Sequence, residues 1–83
     1  MMRILYFAWL RERVGVASEE IDPGDAETAA ELIYDLRGRE ERYARAFEDV
    51  SAVRCAVDQE MRELDAPIAG AREIAFFPPM TGG

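Results

Sequence analysis

The chemistry this chain can offer is concentrated at one end, Phe76-Phe77-Pro78-Pro79-Met80-Thr81-Gly82-Gly83. From Ile74 onward no side chain is charged, although charged residues make up 33% of the chain. Pro78 and Pro79 stiffen the segment and remove backbone donors, so it cannot simply continue a sheet. Gly82 and Gly83 have no Cβ to block close approach. The reactive group left on offer is the α-carboxylate of Gly83. It sits on a thin, uncharged, extended tail, the shape needed to enter another protein's narrow active site. A frayed terminus is the plain alternative, since the last residues of most domains are poorly ordered. Frayed tails are polar, however, and this one runs from an apolar strand to Gly-Gly without a charge.

Little else in the chain reacts. There is no histidine, which excludes Ser-His-Asp or Cys-His catalysis in the usual form and most zinc sites. All ten cations are Arg, so there is no Schiff-base nucleophile and no side chain to carry isopeptide chains. Cys55 lies between Val53 and Val57. There it reads as a small buried hydrophobe and not as a sulfur-handling thiol, because nothing nearby in sequence would depress its pKa. Glu19-Glu20 and Glu40-Glu41 are adjacent pairs whose side chains point apart on a strand or helix, so solvated faces explain them better than acid–base pairs. Trp9 and the Tyr43/Phe47 pair read as packing, not as a ligand cage.

The length of 83 residues gives one small-cored domain, and 49% hydrophobic content is enough to fold it without a metal or a disulfide framework. A single cysteine cannot form an intramolecular disulfide and fits a reducing compartment. The sequence predicts neither a signal peptide nor a membrane span, and a cytoplasmic location is expected. The net charge of −7 argues against nucleic acid as a partner and for a basic protein surface.

Several elements must position the tail. Met2 to Trp9 is a near-continuous apolar run that predicts a strand buried on both faces. Leu10 to Val14 is a turn or a single helical turn ending at Gly15, Val16 to Ile21 a short strand, and Asp22 to Asp25 a loop. Thr28 to Glu31 has capping-box spacing, with Glu31 reaching back. Ala29, Leu32, Ile33 and Leu36 then share one helical face, and Gly38 is a natural stop. Arg39 to Phe47 predicts a shorter helical piece that packs Tyr43 and Phe47 on the core edge. Val53, Cys55 and Val57 alternate as in a strand. Asp58-Gln59-Glu60 turns the chain, Met61 to Leu64 can pair as a short strand, Ile68 plugs the core, and Arg72 to Phe77 is the last strand. The order predicts an α+β fold whose core includes Ile4, Leu32, Ile33, Leu36, Val57 and Ile74. By parity, Leu5 and Phe7 oppose Ile4 and Tyr6, while Ala75 and Phe77 oppose Ile74 and Phe76. That is more apolar surface than one sheet face hides. The second face is therefore either covered by loops or an exposed patch for a partner.

The tail Phe76-Phe77-Pro78-Pro79-Met80-Thr81-Gly82-Gly83 resembles that of the small, sulfur-carrying subunits of molybdopterin synthase. The opening Arg3-Ile4-Leu5-Tyr6-Phe7-Ala8-Trp9-Leu10-Arg11-Glu12-Arg13-Val14-Gly15 is similar to that family's first strand and following turn. Ala56-Val57-Asp58-Gln59 lies where the family usually has Ala-Val-Asn-Gln, and Ala69 to Phe77 resembles its last strand, usually entered through Gly-Asp-Glu. Asp58 and Ala71-Arg72 depart from the pattern, in expected turns.

The resemblance implies a ubiquitin-like β-grasp over residues 1–77, with first and last strands central, and an extended tail over 78–83. It implies a sulfur carrier of molybdenum cofactor biosynthesis that is not catalytic alone and binds no cofactor. An E1-like adenylating partner would use ATP to form an acyl-adenylate at Gly83, with Gly82 beside it, and a sulfur donor would convert this to a thiocarboxylate. The tail would then deliver sulfur to cyclic pyranopterin monophosphate in a large synthase subunit, within a heterotetramer. It further implies a partner surface made of Phe7, Arg11, Met61 and Phe77, with Pro78, Pro79, Met80 and Thr81 entering the partner. Sulfur delivery for thiamine or tRNA thiolation, and a non-catalytic interaction module, are the alternative readings.

Overall fold

The structure, a computed structural model, describes residues 1–79. In chain order it contains β1 (Met2–Tyr6), α1 (Ala8–Val14), β2 (Ser18–Ile21), α2 (Ala29–Arg37), α3 (Glu41–Ala46), a 3-10 turn (Val50–Ala52), β3 (Arg54–Val57), β4 (Glu60–Arg62) and β5 (Glu73–Phe77). The strands form one sheet of order β2-β1-β5-β3-β4. β1 and β5 are parallel at its centre, with Ile4 opposite Ile74 and Tyr6 opposite Phe76, and the other pairings are antiparallel. A mixed sheet with its first and last strands side by side and helices on one face is the ubiquitin-like β-grasp.

One face of the sheet holds the core. Ile4, Tyr6, Cys55, Ile74 and Phe76 are buried there against Leu10 and Val14 of α1, Leu32, Ile33 and Leu36 of α2, and Tyr43 and Phe47 around α3. Phe47 meets Phe76 edge-on, with ring centroids 5.2 Å apart, the arrangement ring quadrupoles favour. Phe47 thus lies within the core and not merely at its edge, while Tyr43 is buried at its rim. Ile68 is buried as expected, tied by its N–H to the Glu27 carbonyl at 3.0 Å.

α2 begins with the expected cap. Thr28 Oγ1 accepts the Glu31 N–H at 3.1 Å, but the Glu31 carboxylate reaches past Thr28 to the Glu27 N–H at 3.0 Å. Gly38 ends the helix in a right-handed conformation (φ −84°), so the stop there does not draw on glycine's left-handed freedom.

Three expectations are corrected. The run Met2 to Trp9 is not one strand buried on both faces. β1 stops at Tyr6, Ala8 takes a left-handed φ of 54°, and α1 starts there and carries Leu10 and Val14 under the sheet. Val57 is only half-buried, since it closes β3 next to the turn at the margin of the helix layer. Glu19 is not on a solvated face. It points to the core side opposite Ile4, while Glu20 points outward and pairs with Arg3 at 3.8 Å.

β5 ends at Phe77. Pro78 and Pro79 lie beyond the strand and are partly buried, and the expectations for Met80, Thr81, Gly82 and Gly83 fall outside the described residues.

Candidate functional site

Side chains alternate along a strand, so burying Ile4, Tyr6, Ile74 and Phe76 forces Leu5, Phe7, Ala75 and Phe77 to the opposite, helix-free face. Across that face the register aligns Leu5, Ala75, Ala56 and Met61 on successive strands. Small alanines form the middle and larger apolar groups stand around them. Met61 is 70% exposed and Phe7 47% exposed, while Phe77 is half-buried. An apolar patch of this kind on a small chain marks an interaction surface.

The backbone explains why the patch sits at one end. Phe7 follows Tyr6 and Phe77 follows Phe76, and those two residues are in parallel register. The Phe7 N–H still bonds the Phe76 carbonyl at 3.1 Å. Both phenylalanines therefore stand at the C-terminal ends of the two central strands, where β5 passes into Pro78. The αL turn at Ala8 then returns the chain through α1, so Arg11, whose N–H reaches the Phe7 carbonyl at 3.4 Å, lies exposed one turn on. The fold thus brings Phe7 and Phe77 together at the ends of the two central strands, with Arg11 exposed one helical turn beyond Phe7 and Met61 on the outer strand.

Cys55 takes no part in this site. It is fully buried on the core face, its thiol donates to the Arg62 carbonyl at 3.4 Å, and burial, then the nearby Glu63 carboxylate, push its pKa up. A thiol held neutral is neither a nucleophile nor a sulfur relay. Trp9 is half-buried with the Arg13 guanidinium 4.8 Å above its ring, a packing role. Among the described residues no group of acids, cysteines or histidines could hold a metal ion, and no helix is long and apolar enough to cross a membrane.

Sequence reasoning missed a polar cluster at the rim of the core. Glu19 Oε2 accepts from the Tyr6 hydroxyl at 2.8 Å and the Tyr43 hydroxyl at 2.6 Å, and Oε1 accepts from Arg42 Nη2 at 3.2 Å. Arg42 also donates to the Val14 carbonyl at 3.3 Å and stacks over Tyr43. Burial alone would raise the Glu19 pKa, but the hydroxyls of Tyr43 and Tyr6 and the Arg42 guanidinium outweigh it and hold the carboxyl below its ordinary value. Burial and the Glu19 carboxylate push Tyr43 up to about 12 and Tyr6 well above the usual phenol range. The available signal was a pair of tyrosines on core-facing positions, since a buried phenol needs a partner. The cluster joins elements of the fold and is remote in role from the patch.

Comparison with known proteins agrees with this geometry. The chain is 37% identical to the molybdopterin synthase sulfur carrier subunit of Escherichia coli (strain K12) over 83 residues, all of both proteins. It is 34% identical, again over the full length of both, to the subunit of the same name from Haemophilus influenzae. Small archaeal modifier protein 1 from Haloferax volcanii shares the fold, with a TM-score of 0.71 over 95% of this chain and 97% of that one, at 23% identity. The ThiS family pattern matches residues 4–83. With its β-grasp, its open apolar face and a Gly-Gly ending that falls inside that match, the chain belongs to the ThiS family.

Proposed function

We propose that this protein is the sulfur carrier of molybdopterin synthase, and that Gly83 is the atom-transferring end. The observation that carries the reading is the uncharged Pro-Pro-x-Thr-Gly-Gly segment that continues from β5 beside the exposed Phe7, together with full-length relatives bearing that name. Fully extended, residues 78–83 reach about 20 Å, enough to enter a partner while the sheet docks outside.

A carboxylate is a poor electrophile, because its charge is delocalised and its leaving group would be oxide. An E1-like adenylating partner solves this with ATP: the Gly83 carboxylate attacks the α-phosphorus, pyrophosphate leaves, and an acyl-adenylate remains. A persulfide donor then attacks the acyl carbon and AMP leaves. Reductive cleavage of the S–S bond by a thiol yields the terminal thiocarboxylate, a better nucleophile than the carboxylate. In the large synthase subunit its sulfur passes to cyclic pyranopterin monophosphate, and hydrolysis of the acyl intermediate restores the carboxylate. This chain supplies a reactive terminus and a docking face. Groups that bind the pterin and move its protons belong to the large subunit, and the heterotetramer and a cytoplasmic location follow from the same reading.

The test is positional as well as chemical. Deleting Gly83 leaves a carboxylate on Gly82, about 3.5 Å short of its place. Even about 1 Å of misplacement can cost on the order of a hundredfold in rate. Intact-mass measurement after incubation with the adenylating enzyme, ATP and a sulfur donor should show sulfur replacing one oxygen in the wild type only. The deletion variant should still bind the large subunit. A deletion variant that is thiocarboxylated and turns over at the wild-type rate would sink the reading.

A further inference from the structure

Arg54 is an unclaimed charge at the corner of the open face where the tail begins. It opens β3 directly opposite Phe77 and shares its face with Ala56, whose partner across the next strand is Met61. A cavity of about 610 Å³ lies at this corner, lined by Arg54, Met61, Arg62 and Glu63.

The arginine is held without being neutralised. Its Nη1 donates to the Ser51 carbonyl at 3.1 Å and the Val53 carbonyl at 3.2 Å. Among the described residues Arg54 makes no ion pair, whereas Arg3 on the same face is paired with Glu20, and Arg62 in the same cavity with Glu60. Glu63 lines the cavity but forms no ion pair with Arg54. Two backbone carbonyls thus fix one edge of the guanidinium and leave the rest of its planar fork presented to the outside, the geometry that receives a carboxylate with two hydrogen bonds. A chain of net charge −7 repels acidic surfaces in general, so a fixed local cation at the tail's exit selects one that offers its carboxylate at this corner.

We propose that Arg54 is a docking determinant. In this reading it receives a carboxylate on the rim of the large synthase subunit's tail channel. The inference rests on the carrier function proposed above and names the chemistry of its lasting partner. A subunit that stays assembled keeps this corner covered, and a charge pair is worth most where water is excluded.

The experiment measures binding of the wild type, Arg54→Ala, Arg54→Lys and Arg54→Glu to the purified large subunit from the same cell, at low and high salt. Thiocarboxylate formation on the adenylating enzyme and thermal melting are followed in parallel. Arg54→Ala is expected to weaken binding about thirtyfold, the loss typical of breaking a desolvated charge pair. Arg54→Lys should recover part of that loss, because it keeps the charge without the fork, and Arg54→Glu should be worst. Because a pair shielded from water is screened little, most of the Arg54→Ala loss should persist at high salt, while melting and thiocarboxylate formation remain as in the wild type. Arg54→Ala binding within about twofold of wild type, a loss that vanishes at high salt, or an equal loss on the adenylating enzyme would each overturn the assignment. Failure of the wild type itself to form a thiocarboxylate would instead overturn the carrier reading beneath it.

Discussion

Glu19 is the residue on which the rim of the core converges. Tyr6 of β1, Tyr43 and Arg42 of α3, and through Arg42 the last carbonyl of α1, all meet at its carboxylate. Its folded pKa is held below the ordinary value, so its contribution is present above the unfolded carboxyl pKa of about 4.3 and is lost as pH falls through the folded value. Tyr43 has the opposite sign. Its pKa is raised from 10.0 to about 12, so its contribution is complete below the unfolded value and disappears as pH rises from there through the folded one. Glu19→Gln removes the charge and is expected to cost about 1.5–3 kcal/mol near neutral pH. Urea midpoints from about pH 3 to pH 7 should then vary less with pH in the variant than in the wild type. Parallel curves for the two proteins would show that the carboxylate contributes nothing through its ionisation.

At the scale of elements, the β3–β4 turn does more than reverse the chain. Asp58 and Gln59 both take positive φ, 48° and 71°, the conformation of a two-residue hairpin turn whose twist matches its strands. Asp58 Oδ1 accepts the N–H groups of Arg72 at 2.9 Å and Glu73 at 3.0 Å, and the Asp58 N–H bonds the Glu73 carbonyl at 2.9 Å. The turn therefore fixes where β5 starts, and with it the register that sends Phe77 to the open face. The family resemblance implies an asparagine at position 58, and the geometry accommodates aspartate there, since both tolerate αL and both offer an acceptor oxygen. Asp58→Asn should leave the urea midpoint close to wild type. Asp58→Ala loses the acceptor and strains the backbone, at a cost of about 2 kcal/mol. Equal midpoints for the Ala and Asn variants would mean the side-chain bonds to β5 carry no weight.

The whole molecule divides its apolar residues between two faces of the sheet, and substitutions should separate their roles. Leu32 is fully buried under the sheet, so Leu32→Ala is expected to cost about 2–5 kcal/mol. For a domain of this size that lowers the melting temperature by at least about 8 °C. Phe77, half-buried on the open face, should behave in reverse. Phe77→Ala should melt near the wild-type temperature but bind the large subunit about thirtyfold more weakly, as loss of an interface anchor does. A Phe77→Ala protein that melts early and binds normally would assign that ring to the fold and not to docking.

What the sequence by itself determined was whatever follows from local backbone geometry. The alternation in Ile74 to Phe77 put Phe77 on the face away from the core because a strand repeats every two residues. Thr28 and the spacing Ala29, Leu32, Ile33, Leu36 located α2 because a helix repeats every 3.6 residues. The resemblance of the tail, which rests on its residues and not on their placement, carried the functional reading. The tertiary structure alone decided what depends on distant segments. Only the arrival of α1 and the αL turn at Ala8 ended β1 at Tyr6, so an apolar run that looked doubly buried covers one face and exposes the other. Only the arrival of Arg42 and Tyr43 of α3 at β2 turned Glu19 from a solvated acid into the centre of a cluster. Only the pairing of β3 with β5 brought Arg54 beside Phe77. Periodicity states which side a residue faces, but what stands on that side is set by chain segments far away in sequence, and for a charge those neighbours determine whether it is solvated, paired or held ready for a partner.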